Sequence, residues 1–168
     1  GANDGASGIA ILMTLAEMLS ENPPINIGVD LLFLDAEDIG LYNNSETWAL
    51  GAKSFAKNIK KPLPRYAICL DMVGDSEQEF FIEGFSYEYA PKIVHKVWGL
   101  ANELGYNQFK YVLGQKIVDD HYILFRETGI PSIDIIDFQY PNSSKNYWHT
   151  IEDTPDKCSA ASLEAVGT

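Results

Sequence analysis

Cysteine is scarce in this sequence. Cys69 and Cys158 are its two thiols, far apart and in no metal-type spacing. They exclude a dense disulfide framework and say little about redox compartment. Positive charge is scarce as well: 12 Lys and Arg stand against 24 Asp and Glu, a formal net charge of -12. So acidic a chain is a poor electrostatic partner for nucleic acid or anionic lipid. No apolar run reaches the length of a membrane span. Neither nucleic acid nor a membrane is therefore an expected partner. Repeats and low-complexity tracts are missing, as is a domain linker. There is no initiating Met and no signal-peptide pattern; the chain opens on a glycine-rich loop, Gly1 to Gly8. The expectation is one domain over residues 1–168, incomplete at its N-terminus.

A core is present: 46% of the 168 residues are hydrophobic and 12% aromatic. Ile9, Leu12, Met13, Ala16 and Leu19 recur at helical spacing until Asn22-Pro23-Pro24 ends the helix. Ile25, Ile27, Val29, Leu31 and Phe33 alternate and predict a buried strand running into Asp35-Ala36-Glu37-Asp38. A polar linker over Tyr42 to Thr47 precedes a short helix around Trp48 to Asn58. Strands are predicted at Tyr66 to Leu70, Phe80 to Ile82, Phe109 to Leu113 and Pro131 to Ile136. Between them lie a helix opening at Pro91 and ending at Gly105, and one from Asp119-Asp120-His121 to Gly129. Ser159 can cap a last helix. Strands alternating with helices make an α/β sheet the economical architecture.

The chemistry collects where strands end. Asp35, Glu37 and Asp38 follow one strand, Asp71 the next, and His149 follows the last by a loop. Carboxyl ends of strands in open α/β sheets are where ligands bind. Asp4, Asp38 and His149 could make a three-ligand zinc site with one open position, the pattern of a catalytic metal. The bland alternatives are a dipole-stabilised Asp4, solvated loop acids at Glu37 and Asp38, a turn residue at Asp71, and helix caps at Asp119 or Asp120. His121 reads as a core or supporting histidine before a ligand.

Five motifs occur in order: Gly-Ala-Asn-Asp4-Gly-Ala-Ser-Gly, Asp35-Ala-Glu37-Asp38, Leu70-Asp71-Met-Val-Gly, Gly129-Ile-Pro131 and Trp148-His149-Thr-Ile-Glu-Asp153-Thr. Together they resemble the zinc aminopeptidase superfamily, which also holds the animal-type glutaminyl cyclases. The resemblance implies a single catalytic domain of the α/β class, a three-layer sandwich with a mixed, largely parallel central sheet. It implies Asp4, Asp38 and His149 as metal ligands, although the family usually has Glu where Asp38 stands. It implies Glu37 as the catalytic acid–base. Asp71 would join a hydrogen-bonded acidic network in a cyclase, or hold a second zinc in an aminopeptidase. Asp119-Asp120-His121 stands where aminopeptidases carry Ser-Asp-His and cyclases Asp-Asp-His. Trp148 before His149 also follows the cyclases, as an apolar wall of the substrate pocket.

The implied activity is zinc-dependent cyclisation of N-terminal glutamine to pyroglutamate with loss of ammonia, with Asp119 and Asp71 as a proton-sharing pair. The alternatives are an aminopeptidase with one or two zincs, and a metal-free binding domain of the same fold. The substrates would be peptide or protein N-termini, in the periplasm or outside the cell. Oligomeric state is left open. Asp134 departs from the animal cyclases, which often have His there. A cis peptide is expected at Asp4–Gly5, because the metal-ligand Asp of this superfamily is often followed by one.

Overall fold

The computed structural model describes residues 1–41 and 43–168; Tyr42, the first residue of the expected polar linker, lies outside the described residues. The chain divides into two compact units. The first comprises Gly1–Phe33, Leu70–Phe80 and Ile136–Thr168, and the second Leu34–Cys69 and Phe81–Ile135.

In the first unit α1, Ala6–Glu21, ends at Asn22 as the Asn-Pro-Pro signal predicts. It packs against α6, Ala160–Gly167. The Ser159 side chain caps α6 by accepting from the Ser162 N–H at 3.0 Å. The buried face of α1 is not the one the spacing suggested. Ser7, Gly8 and Ile11 are buried, while Met13 is 63% exposed. Small residues lie inward because the helix runs very close to the backbone at Leu70: a Cβ on Gly8 would sit 2.3 Å from the Leu70 carbonyl oxygen. Backbone pairing joins Gly74–Ser76 to Lys157–Ser159, with Ser159 N–H donating to Gly74 O at 2.9 Å and Ser76 N–H to Lys157 O at 3.0 Å. A short antiparallel ribbon, β5 (Pro141–Asn142) with β6 (Lys145–Asn146), precedes Trp148.

The predicted strand over Ile25 to Leu34 does not form. The segment has no regular secondary structure, and Ile25, Ile27 and Phe33 are 84%, 59% and 52% exposed. Alternation marks a segment fit to be a strand, but a strand exists only with a hydrogen-bonding neighbour, and none pairs with it among the described residues.

In the second unit α2, Leu50–Asn58, packs on α5, Asp120–Thr128, through Ala49, Ala52 and Ile123. Between β2 (Phe80–Ile82) and β3 (Phe109–Leu113) lie α3, Gly84–Tyr89, and α4, Pro91–Glu103. Pro91 opens α4 at the position where its missing N–H costs nothing. Trp98 of α4 is fully buried, edge-on to Phe109, and donates to the Lys110 carbonyl at 3.1 Å. The pair β1 (Ala67–Asp71) and β4 (Ser132–Ile136) starts side by side, Ala67 N–H donating to Pro131 O at 2.9 Å, so the two strands run parallel. β2 and β3 are likewise parallel, with Gly114 N–H on Ile82 O and Gly84 N–H on Gln115 O. Gly129, at φ +74, ends α5 in the left-handed conformation that glycine adopts without penalty. Among the described residues no helix is long and apolar enough to cross a membrane.

The Gly8 contact yields a test. Gly8→Ala should destabilise the fold by about 1–3 kcal/mol, the usual cost of overpacking against backbone, read as a lower urea midpoint at unchanged slope.

Candidate metal centre and acidic site

In the first unit Asp4 sits in the loop entering α1, and that loop is fixed by side chains around it. The Asp153 carboxylate accepts Asn3 N–H at 2.8 Å, Asp4 N–H at 3.1 Å and the Tyr140 hydroxyl at 2.9 Å. Burial opposes the Asp153 charge, but the two amides and the hydroxyl outweigh it and hold the carboxyl below its ordinary range. Asn3, fully buried, accepts Gly74 N–H on its Oδ1 at 2.6 Å. Ser7 donates to Asn3 O at 2.6 Å and accepts Val73 N–H at 3.0 Å. These contacts join the Asp4 loop, the exit of β1 after Asp71, and the loop of His149.

The result is an Asp4 Oδ2 to His149 Nε2 separation of 3.5 Å, with the two side chains 15% and 38% exposed. A carboxylate oxygen and an imidazole nitrogen so placed and open to solvent suit Zn²⁺, which takes mixed oxygen and nitrogen ligands. Trp148 stacks on the His149 ring, centroids 4.1 Å apart, and leans on Phe138 at 5.1 Å. Asp71 closes β1, half-buried. The expected cis bond after Asp4 is not found: among the described residues the cis bonds are Lys61–Pro62 and Tyr140–Pro141. The chain turns at that point through Gly5, at φ +82, a conformation open to glycine without a cis bond.

In the second unit, Ala49, Leu50 and Gly51 donate their N–H groups to the carbonyls of Glu37, Ala36 and Asp35 at 3.0–3.1 Å. These carbonyls satisfy donors that the start of a helix leaves without intrahelical partners, and Glu37 and Asp38 follow directly. Asp119 is buried and caps α5 by accepting from Asp120 N–H, so the capping role weighed for it is real. Cys69 Sγ lies 3.8 Å from Asp119 Oδ2. Burial, and then the Asp119 charge, push Asp120 up to about 7. Within this unit the like-charge neighbour of Asp120 is Asp119.

Of the five non-glycine residues in left-handed conformation among the described residues, three stand at these positions: Ala36 before Glu37, Met72 after Asp71, and His149 itself, at φ +56, +48 and +57. Such conformations cost about 1–3 kcal/mol each and persist where surrounding structure enforces them, often at functional sites. Sequence reasoning assigned no role to Asp153 beyond its place in the His149 motif and passed over Glu83. The spacing of Asp153 from His149 was the available signal; Glu83 gave none.

Two expectations follow. Asp153→Ala should weaken zinc retention about 10–100-fold in chelator competition, the usual loss when a group that orients a ligand is removed. The buried Asp137 accepts Glu79 and Gln139 N–H groups at 3.1 Å, yet burial outweighs both amides, and with Asp75 and Glu79 adding repulsion the carboxyl rises to about 7. Its pKa is higher folded than unfolded, so its stability contribution is complete at acid pH and lost as pH rises through about 7. Denaturant stability should fall between roughly pH 4 and 7, and Asp137→Asn should flatten that fall.

Residues 1–168 match the model of peptidase family M28. A Bacteroides thetaiotaomicron glutaminyl cyclase, solved with N-acetylhistamine, is 39% identical, with a TM-score of 0.92 over 99% of this chain and 60% of that one. A leucine aminopeptidase precursor from the same organism is also 39% identical, with a TM-score of 0.90 over 99% and 59%. A Zn-dependent exopeptidase of Parabacteroides distasonis is 36% identical, with a TM-score of 0.90 over 99% and 60%. No curated protein matches the chain. The chain spans about 60% of the length of the solved structures it matches. The α/β sandwich class expected from the sequence is theirs, and the Parabacteroides distasonis protein is named as Zn-dependent. By its family match and these structural likenesses, the chain belongs to peptidase family M28.

Proposed function

We propose that this chain carries the catalytic residues of a zinc-dependent glutaminyl cyclase, which converts N-terminal glutamine of a peptide to pyroglutamate and releases ammonia. The observation that carries the reading is the acid pair opening α5: a buried Asp119 beside an Asp120 raised to about 7. The aminopeptidase pattern has a neutral serine at the first of these positions. Solved structures named as glutaminyl cyclases from Porphyromonas gingivalis and Tannerella forsythia, 37% and 39% identical, support it.

On this reading Asp4 and His149 hold one zinc, and the sequence adds Asp38 as third ligand. A zinc there supplies a Lewis acid for the side-chain amide carbonyl of the substrate. Glu37 takes the proton from the substrate α-amine as that nitrogen bonds to the amide carbon. The same carboxyl then returns a proton to the departing nitrogen, which leaves as ammonia while the carbon–nitrogen bond breaks. Trp148, stacked on His149, walls the pocket and keeps water from competing with the amine. Asp119 and Asp71 steady the amine and the leaving group. A second reading has one observation behind it, the equal identity to the structure named a leucine aminopeptidase precursor. It would make Glu37 the base toward water and Asp71 a ligand for a second zinc.

The test gives the zinc-loaded full chain a glutamine-initiated and a leucine-initiated dipeptide, with zinc stoichiometry from the same preparation. Ammonia and a pyroglutamyl product with one zinc support the cyclase. Free leucine with two zincs replaces it by the aminopeptidase, and neither product overturns both. Glu37→Gln should lower the rate about 10²–10⁴-fold, the usual worth of a general acid–base.

A further inference from the structure

Glu83 is a carboxylate that the proposed reaction does not use, and it is 2% exposed. Its Oε1 accepts Phe85 N–H at 2.9 Å and Ile117 N–H at 2.8 Å. Its Oε2 accepts Ser86 N–H at 2.6 Å and the Ser86 hydroxyl at 2.7 Å, and lies 3.0 Å from His121 Nε2. Ser86 Oγ in turn accepts Asp134 N–H at 2.9 Å, and His121 Nδ1 lies 3.5 Å from Asp134 Oδ2. His121, Asp134 and Ser86 are all about 1% exposed or less. Burial pushes the Glu83 carboxyl up, but the His121 ring and the amides outweigh it and hold it at about 2. An ionised carboxylate only accepts hydrogen bonds, so His121 Nε2 is the donor in their contact.

The sequence positions of these partners carry the inference. Ile117 stands two residues before Asp119, and His121 directly follows Asp120. One carboxylate therefore grips the chain just before and just after the acids that open α5. Asp119 has its own local bonds, accepting Tyr122 and Ile123 N–H groups on its carbonyl at 3.0 and 3.2 Å. Those bonds form the turn, while Glu83 sets where the turn stands. The geometry points to Glu83 as a positioning residue for the Asp119–Asp120 pair, acting through Ile117 and His121. This rests on Asp119 belonging to the reacting site as proposed above.

The test is Glu83→Gln in the zinc-loaded full chain, alone and on an Asp119→Asn background. Glutamine keeps the size but brings an NH₂ that cannot accept, so one side of the grip opens. Expected is a fall in kcat of about 10–100-fold with KM within about twofold and zinc content unchanged. On the Asp119→Asn background the same change should cost less than about twofold, because both substitutions act on one group. Hydrogen exchange should quicken at Tyr122 and Ile123 N–H and not at Gly129 N–H, which donates to Phe125 O at the far end of α5. Equal losses in the two backgrounds, or unchanged exchange at Tyr122 and Ile123, overturn the inference. If the parent chain makes neither pyroglutamate nor free leucine, the proposed function fails and the exchange result alone decides the role of Glu83. If Glu83→Gln does not fold, His121→Gln opens the C-terminal side of the grip and must give the same pattern, or the inference falls.

Discussion

The arrangement of the first unit depends on one buried ionised carboxylate. Asp153 receives the backbone of Asn3 and Asp4 and the hydroxyl of Tyr140. It stands four residues after His149, so the bonds that fix the Asp4 loop also fix the loop that presents the imidazole. Asn3 and Ser7 carry the same fixation to Val73 and Gly74, just beyond Asp71. None of these contacts uses the Asp4 carboxylate, which stays beside His149 on the solvent side. A ligand-bearing loop must be rigid without its ligand atoms being consumed by the rigidity, and backbone clamping meets both needs.

The same device recurs in the second unit with Glu83. Among the described residues no Lys or Arg is buried, so buried acids here are served by backbone amides, hydroxyls and one histidine. The balance of donors against burial and neighbouring charge decides the state of each. Asp153, with two amides and a phenol, stays below the ordinary range, and Glu83, with three amides, a hydroxyl and His121, lies at about 2. Asp137 has two amides, which do not offset burial and the nearby Asp75 and Glu79, and it rises to about 7. Asp120 gains nothing from donors and has Asp119 beside it, and it too lies at about 7. The ionised acids hold geometry across the neutral range; the raised ones exchange protons within it.

The legible part of this structure is what local rules encode. Pro91 opening α4, Gly129 closing α5, Ser159 capping α6 and the four short strands from Ala67 to Ile136 all follow from caps, breakers and β-prone runs. The acids were legible as motifs in order, and the family match spans all of them. Ile25 to Phe33 misled because alternation reports fitness for a sheet and not the presence of a neighbour. The face of α1 misled because hydrophobicity favoured Met13, whereas closeness to Leu70 demanded Gly8 and Ser7. Glu83 was invisible because its partners, Ile117 and His121, lie more than thirty positions away, and nothing local marks a carboxylate as buried.

The Asp-Asp-His segment is where the two readings of the reaction part, and capping does not explain its first residue. A serine would cap α5 as well as Asp119 does. What an aspartate adds is charge, and that charge is the second of the two causes that lift Asp120 to about 7. With a neutral cap burial alone would remain, and Asp120 would lose its proton at lower pH. Hydrolysis and ring closure each take a proton from the nucleophile and deliver one to the departing nitrogen, so both ask the same of a general acid–base. What separates the two readings at the α5 entry is the aspartate in place of serine, one member of the acid pair that Glu83 is proposed to position.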